Sequence, residues 1–206
     1  MKGNLIIISS PSGGGKGTLI RELLNMVPGL GYSVSLTTRE PRDGEENGKD
    51  YSFVSNEEFE AYREKGGFLE FAEVHGNFYG TSLAQTEELI NAGKDVVLEI
   101  DVQGAASILG KAPDAVSIFI LPPSFEVLRA RLTARATERT DDLDLRLKNS
   151  HSEVLEYSRF RYVVVNDEIA SASGKLAAII LAERQRAHRQ AESIQGILDS
   201  FGRGKV

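Results

Sequence analysis

A glycine-rich segment near the beginning of the chain has the residue types and the spacing of a phosphate-binding loop. It reads SPSGGGKGT and separates an apolar run from a stretch with helical periodicity. Glycines let successive backbone N–H groups face one anion, and the helix N-terminus adds its positive end. The lysine would reach the outer phosphates as a mobile charge. The candidate residues are Ser10, Pro11, Ser12, Gly13, Gly14, Gly15, Lys16, Gly17 and Thr18.

Two positions depart from the pattern G-x-x-x-x-G-K-[ST]. Ser10 stands in place of the first glycine, and Gly17 stands where a serine or threonine usually follows the lysine, so the first hydroxyl comes at Thr18. Magnesium ions keep several water ligands and bind readily through phosphates. We therefore expect Mg²⁺ to be held mainly by nucleotide phosphates and water, and we predict no metal site made by protein side chains alone.

A second candidate anion site lies further along the chain. Arg39 and Arg42 are three residues apart in a turn-rich segment, and their planar guanidinium groups can converge on one phosphate. Tyr51 would add a hydroxyl donor. Both arginines are equally compatible with ordinary surface charges, so this pattern by itself leaves the two interpretations open.

The elements that must position these residues alternate between strands and helices. Continuous apolar runs are typical of strands buried on both faces of a parallel sheet. Alternation with helices predicts an α/β fold with a parallel central sheet covered on both sides. The predicted strands are Leu5–Ile8, Val96–Ile100, Val116–Leu121 and Tyr162–Val165, and the predicted helices are Lys16–Met26, Ser82–Ala92, Phe125–Arg135, Leu143–Tyr157 and a long final helix from about Glu168 to Leu198.

Two excursions interrupt this alternation within a single domain of residues 1–206. Residues 33–80 combine short strands with one helix, which predicts an inserted α+β subdomain. Residues 126–147 are helical and rich in charge, and we interpret them as a helical lid. The core of the domain would then comprise residues 1–32, 81–125 and 148–206.

Composition excludes several classes of function. The chain has 24 Lys plus Arg against 30 Asp plus Glu, a net charge of -6, and no cysteine. This charge disfavours a nucleic acid polymer or an anionic membrane as partner, and the lack of cysteine excludes disulfides and thiolate metal sites. Leu5–Ile8 is too short for a signal sequence or a membrane span. We expect a cytoplasmic protein, and a homo-oligomer remains open.

Further motifs, taken in order with the phosphate loop, resemble the guanylate kinase family over about residues 3 to 186. The resemblance implies a three-layer P-loop NTPase fold whose inserted subdomain binds GMP. It also implies transfer of the γ-phosphoryl group of ATP to GMP, and to dGMP, in purine nucleotide recycling, with Mg²⁺ accompanying ATP. The motifs are the Ser35–Arg42 stretch followed by Gly44-Glu45 and Tyr51, the run Phe68–Thr81, Ile100-Asp101-x-Gln103-Gly104 and Phe119–Pro123.

The resemblance also implies roles for the residues that match the family's motifs. The phosphate-loop residues Ser10 to Thr18 would bind ATP, with Asn166 at the adenine or ribose. Glu99 stands where the family usually shows aspartate, and Ala136 stands where it usually shows glycine. The implied catalytic residues are Lys16, Arg39, Arg135 and Arg146, and the implied GMP-binding residues are Ser35, Arg39, Arg42, Tyr51, Glu70, Tyr79, Thr81 and Asp101.

Glu70 has a chemical reason to select guanine. Guanine presents N1–H and N2–H₂ as adjacent donors, which one carboxylate can accept together. Adenine has no donor at N1 and would leave a buried carboxylate unpaired, and sites of this kind discriminate by roughly 10⁴-fold. Hydroxyls at Ser35 and Thr81 would donate to the guanine O6 atom.

Two other functions remain as alternatives. One is a non-catalytic, guanylate-kinase-like module that binds protein partners, which the retained Lys16, Arg135 and Arg146 argue against. The other is a kinase for AMP, CMP or UMP, which the pairing of Glu70 with Ser35 argues against. Turnover with each nucleoside monophosphate separates these alternatives from a GMP kinase.

Overall fold

A five-stranded parallel sheet lies at the centre of the molecule in the computed structural model, which describes residues 2–74, 76–134 and 140–203. Strand β1 (Leu5–Ser9) occupies the middle of this sheet, between β7 (Asp95–Glu99) and β8 (Val116–Leu121). Every pairing in the sheet is parallel, which confirms the prediction. In spatial order the strands are β2 (Leu30–Tyr32), β7 (Asp95–Glu99), β1 (Leu5–Ser9), β8 (Val116–Leu121) and β9 (Tyr162–Val165).

Helices cover both faces of this sheet and complete three layers. On one face, Ile6 and Ile8 of β1 join a core formed with α1 (Lys16–Met26) and α7 (Ile169–Arg184). On the other face, Ile7 joins a core formed with α3 (Leu83–Asn91) and α4 (Val102–Lys111). Successive side chains of a strand point to opposite faces, so β1 supplies both cores at once. The phosphate loop therefore follows a strand that packing holds on both sides.

A smaller sheet, together with the segments next to its strands, carries most of the predicted GMP-binding residues. Its helix, α2 (Asn56–Glu64), packs Phe59 onto Phe68 and Phe78, with ring centroids 4.5 and 5.4 Å apart. The antiparallel pair formed by the two longest strands shifts register between Phe68 and Glu70, which indicates a β-bulge. In spatial order the strands are β4 (Ser52–Phe53), β3 (Leu36–Thr37), β6 (Asn77–Ser82) and β5 (Phe68–Val74).

The final helical segment differs from the prediction. It consists of two helices, α7 and α8 (Ala187–Arg203), and the predicted helix from Glu168 to Leu198 is wrong in its continuity. The Gln190 side chain donates a hydrogen bond to Arg184 O at 2.7 Å and so satisfies a carbonyl at the end of α7. The junction contains no glycine or proline, so no helix-breaking residue marked it in the sequence.

The charged segment after β8 forms two helices, α5 (Phe125–Ala134) and α6 (Thr140–Leu155). A short 3₁₀ turn, Glu156–Arg159, leads from α6 into β9. Across the described ranges, no helix is both long and apolar enough to cross a membrane. The two helices bring the charged segment towards the end of the sheet where the phosphate loop lies.

Candidate active site

A cavity of about 570 Å³ joins the phosphate loop to the smaller sheet. Helix α6 and the end of β7 complete its walls. Thr18, Thr81 and Asn166 do not line it, and Arg135 lies outside the described residues. The predicted site residues that do line it are Ser10, Pro11, Ser12, Gly13, Gly14, Gly15, Lys16, Gly17, Ser35, Arg39, Arg42, Tyr51, Glu70, Tyr79, Asp101 and Arg146.

The phosphate loop is held by its own backbone. The amide of Gly14 donates to Pro11 O at 2.9 Å, and the hydroxyl of Ser10 donates to the same oxygen at 2.9 Å. The Lys16 ammonium donates to Ile100 O, the residue after β7, at 3.1 Å. These contacts bend the loop and place the ammonium across the carboxyl ends of the central strands, where α/β sheets bind ligands.

Glycine is required at position 15 for two physical reasons. The backbone of Gly15 has a φ of 89°, in the left-handed region that other residues avoid. A Cβ there would lie 2.5 Å from the Asn166 amide nitrogen. That nitrogen donates to Gly14 O at 2.9 Å, so Asn166 supports the loop from behind. The predicted contact of Asn166 with adenine or ribose stays a prediction.

Arg131 is a site-adjacent residue to which sequence reasoning assigned no role. Its guanidinium donates to Asn166 O at 2.9 Å and lies 3.8 Å from the position that a Gly15 Cβ would occupy. The only signal in the sequence was its place one helical turn before Arg135. Arg131 therefore joins helix α5 to the rear of the phosphate loop.

The end of the cavity next to the smaller sheet, which is the predicted acceptor end, contains an arginine that already has a carboxylate partner. Arg39 donates to the two oxygens of Glu45 at 3.0 and 2.9 Å, and the amide of Arg42 donates to the same carboxylate at 2.8 Å. Burial opposes ionisation of Glu45, but the hydrogen bonds from Arg39 and Arg42 lower its pKa. Sequence reasoning gave Glu45 no role, although the Gly44-Glu45 motif was its signal.

Aromatic rings form the wall beside Arg39. The guanidinium carbon lies 5.3 Å from the ring centroid of Tyr51, within the range of a cation–π interaction. Tyr51 meets Tyr79 edge to face, with centroids 5.9 Å apart. Burial raises the pKa of the Tyr51 hydroxyl, which therefore keeps its proton and can donate to an anion.

Glu70 lies on β5 at the base of the smaller sheet and is 6% exposed. The Thr81 hydroxyl donates to one of its oxygens at 2.6 Å, so Thr81 orients the carboxylate from the opposite strand. Burial raises the pKa of Glu70 to about 7, and nearby Asp101 adds to this effect. The direct contact of Thr81 with guanine stays a prediction, because its single proton is directed to Glu70.

The beginning of helix α4 leaves space for that carboxylate. A Cβ at Gly104 would lie 2.6 Å from the Glu70 Oε2 atom, so glycine permits the close approach. The Asp101 side chain accepts from the Gly104 amide at 2.7 Å and caps the helix. The motif Asp101-x-Gln103-Gly104 thus places a second carboxylate beside Glu70.

A third carboxylate faces the phosphate loop. Glu99, at the end of β7, has both oxygens 3.7 Å from the position that a Gly17 Cβ would occupy. It accepts a long hydrogen bond of 3.4 Å from the Tyr32 hydroxyl. A hard oxygen donor therefore lies next to the loop position where other phosphate loops carry a hydroxyl.

Helix α6 contributes Arg146 and Glu153 to the cavity wall. The Glu153 carboxylate accepts a hydrogen bond from the Ser12 amide at 2.9 Å. Sequence reasoning did not single out Glu153, because one acidic residue in a charged helix carries no pattern. The helix therefore contacts the phosphate loop directly.

Known proteins resemble this chain over nearly its whole length. A model of the family described as guanylate kinase matches residues 2–183. The guanylate kinase of Neisseria gonorrhoeae is 49% identical over 199 residues, which cover 97% of each chain. That of Dechloromonas aromatica is 47% identical over 182 residues, which cover 88% of this chain and 90% of the relative. The chain belongs to the guanylate kinase family.

A solved structure agrees with this assignment. The crystal structure of guanylate kinase from Anaplasma phagocytophilum superposes with a TM-score of 0.79 and 35% identity, over 95% of both chains. The match confirms the P-loop NTPase fold with its parallel central sheet. Of the guanylate kinase motifs quoted from the sequence, Phe119–Pro123 covers the end of β8. The others lie on the phosphate loop, the smaller sheet and the beginning of α4, and these three regions meet at the cavity.

Proposed function

We propose that this protein transfers the γ-phosphoryl group of ATP to GMP and releases ADP and GDP. The observation that carries the proposal is one cavity whose two ends both present groups able to bind an anion. Backbone amides and Lys16 lie at one end, and Arg39 and Arg42 lie at the other beside the buried carboxylate of Glu70. The reaction belongs to the cytoplasmic nucleotide pool, and dGMP presents the same base contacts as GMP.

The phosphate loop would hold the donor. Phosphates of ATP would bind the amides between Gly13 and Gly17, and Lys16 would leave Ile100 O to contact the outer phosphates. Asn166 and Thr18 complete the proposed ATP-binding set, and Asn166 would act at the adenine or ribose as well as on the loop.

Magnesium would accompany ATP, and the residues present fit such an ion. Glu99 offers a hard oxygen beside Gly17. Among the residues that the structure describes, no group of three acidic or other metal-binding side chains would hold the ion alone. Phosphates and water would therefore supply most of its ligands. When bound, the ion would neutralise negative charge on the phosphates of ATP.

The smaller sheet would hold the acceptor. Arg39, Arg42, Tyr51 and Tyr79 would bind the GMP phosphate, and the Arg39 guanidinium would exchange Glu45 for phosphate or share both. Glu70 would accept the two adjacent donors of guanine, with Ser35, Thr81 and Asp101 around the base. The buried position of Glu70 explains why a base without those donors would be rejected.

The chemistry needs positioning and positive charge more than a proton acceptor. The attacking atom is a phosphate oxygen that is already ionised at neutral pH, since its second pKa is about 6. Two polyanions must nevertheless approach each other. Lys16 would offset charge on the donor, Arg39 on the acceptor, and Arg135 with Arg146 on the group in transfer.

Closure around both nucleotides would exclude water and prevent hydrolysis of ATP. We propose that residues 33–80 act as the GMP-binding subdomain and residues 126–147 as the lid. Both would move against a core of residues 1–32, 81–125 and 148–206. The two moving parts carry the side chains of the acceptor end and Arg146, respectively.

The decisive experiment is ADP release by the purified chain with ATP, Mg²⁺ and each nucleoside monophosphate in turn. We expect turnover with GMP and dGMP to exceed that with AMP, CMP or UMP by about 10³-fold or more. Absence of ADP with GMP would favour a non-catalytic module. Preference for another monophosphate would assign the chain to a different kinase specificity.

A further inference from the structure

Helix α6 makes a polar contact with the phosphate loop that phosphoryl transfer itself does not require. Glu153 accepts from the Ser12 amide at 2.9 Å, across 141 positions of sequence. Both residues line the cavity, and Glu153 is half-buried. A negative charge beside a polyphosphate site opposes binding of the polyphosphate. The carboxylate at this position therefore needs a physical reason.

The amides of the phosphate loop fall into two sets. Glu153 engages the amide of Ser12, and Pro11 O engages that of Gly14. The remaining amides have no acceptor within residues 2–74, 76–134 and 140–203, so phosphates can bind them without displacing Glu153. They are the amides of Gly13, Gly15, Lys16 and Gly17. This division indicates that Glu153 supports the loop and does not compete with ATP for its amides.

Glu153 shares a helix face with Arg146. The two residues are seven positions apart, which is about two turns and about 10 Å along the helix axis. Residues at this spacing project on the same side, and both line the same cavity. A contact at Glu153 therefore fixes the rotation of α6 and the distance of this face from the phosphate loop.

We propose that Glu153 is a positioning residue, which fixes helix α6 on the phosphate loop so that Arg146 faces the phosphoryl group in transfer. This role needs a hydrogen-bond acceptor at the correct reach and does not need a negative charge. It rests on the proposed function, because Arg146 has this target only if the loop holds ATP.

Three substitutions separate reach from charge. Glu153→Gln keeps the length and an acceptor but removes the charge, whereas Glu153→Asp keeps the charge and shortens the side chain by one methylene. Glu153→Ala removes both. We expect kcat of the Gln variant to stay within about twofold of wild type, and kcat of the Asp and Ala variants to fall about tenfold or more.

Two further readouts distinguish positioning from general damage. The KM for GMP should change by less than about twofold in all three variants, since Glu153 lies on the ATP side of the cavity. The matched control is Asp144→Ala, which removes an exposed acidic side chain from the same helix and should behave as wild type. Thermal melts would show that each variant is folded, and the conservative Asp variant suffices if the Ala variant does not fold.

A double-mutant cycle tests whether Glu153 acts through Arg146. If it does, Glu153→Asp should lower kcat about tenfold in the wild-type background but less than about twofold when Arg146→Ala is already present. If the loss of kcat in the double variant equals the product of the losses in the two single variants, the proposal is overturned.

Other results would also overturn it. A Gln variant as impaired as the Asp variant would mean that the charge matters. Tighter ATP binding in the Gln and Ala variants would mean that Glu153 competes with phosphate. Wild-type kcat in the Asp variant would refute the positioning role of Glu153 but would leave the proposed function intact. Absence of turnover of ATP and GMP by the wild-type chain would instead refute the proposed function.

Discussion

At the proposed donor end of the cavity, backbone amides and Lys16 form the phosphate loop, whereas at the proposed acceptor end charged side chains are already paired with each other. The loop backbone is fixed by glycines at positive φ and by contacts among its own atoms. Arg39 is bound to Glu45, and Glu70 accepts from Thr81. One end has fixed dipoles, and the other would exchange or share its hydrogen bonds when a ligand binds.

This difference predicts different sensitivities for the two ends. Backbone dipoles do not titrate and do not depend on one particular side chain, so the donor end should respond mainly to changes of backbone shape. Side-chain pairs change with protonation and with loss of either partner, so the acceptor end should respond to charge and pH. Lys16 is the exception at the donor end, since its charge moves with the phosphates.

The largest effect should come from Lys16. Lys16→Ala removes the cation proposed to follow the phosphoryl group, and we expect kcat to fall about 10³-fold or more because such contacts act mainly in the transition state. Single-turnover assays with ATP and GMP measure this loss. The exposed Lys148 on α6 provides the matched control, Lys148→Ala. A loss below about tenfold would contradict a transition-state role for Lys16.

Glu70→Gln should give the next largest effect, and only at the acceptor end. The amide would present a donor to a guanine donor, so we expect kcat/KM for GMP to fall about 10²-fold while KM for ATP changes less than about twofold. Steady-state kinetics with each substrate varied separately measure the two constants. Glu73→Gln, on the exposed side of the same strand, should have no effect. Equal changes for both substrates would remove Glu70 from the base pocket.

Gly15→Ala should affect the donor end alone. The new Cβ would clash with the Asn166 amide, and alanine is strained at a φ of 89°. We expect KM for ATP to rise about tenfold or more with KM for GMP unchanged, because the misplaced amides no longer converge on phosphate. Gly110→Ala, at a helical glycine with open space around it, is the matched control. A change confined to GMP kinetics would contradict a preformed donor site.

The sequence predicted most of the donor end because the loop is local. A strand, three glycines, a lysine and a helix lie consecutively, so spacing alone specifies their geometry. The strands Val116–Leu121 and Tyr162–Val165 and the helix Lys16–Met26 were predicted with the observed bounds. By contrast, α4 was missed because Gly104 and Gly110 interrupt its helical pattern, and β2 was missed because it is three residues long.

Partners of the predicted site residues were harder to predict because they come from distant segments. Glu153 meets Ser12, and Asn166 meets Gly14, only after the chain has folded around the central sheet. No periodicity or spacing relates such pairs in one sequence. Glu45 lies between these two cases. The Gly44-Glu45 motif was recognisable in the sequence, but the hydrogen bonds from Arg39 to Glu45 were not.

The smallest predicted effect is a pH dependence at the acceptor end. Burial raises the pKa of Glu70 to about 7, so this carboxyl is partly protonated at neutral pH in the free protein. A carboxyl with a raised pKa gains its charge only as pH rises through that value, and the charged form is the one that accepts both guanine donors. We therefore expect kcat/KM for GMP to rise about fourfold between pH 6.5 and 8.

A second group titrates nearby and has to be separated from Glu70. The GMP phosphate has a pKa of about 6 and would add only about 1.3-fold over the same range. Glu70→Gln should retain this small dependence and lose the larger one, while kcat/KM for ATP at saturating GMP should stay flat in both proteins. Bound guanine stabilises the carboxylate, so kcat itself should also vary less than kcat/KM. An unchanged profile in the Gln variant would assign the titration to another group and would weaken the contrast between the two ends.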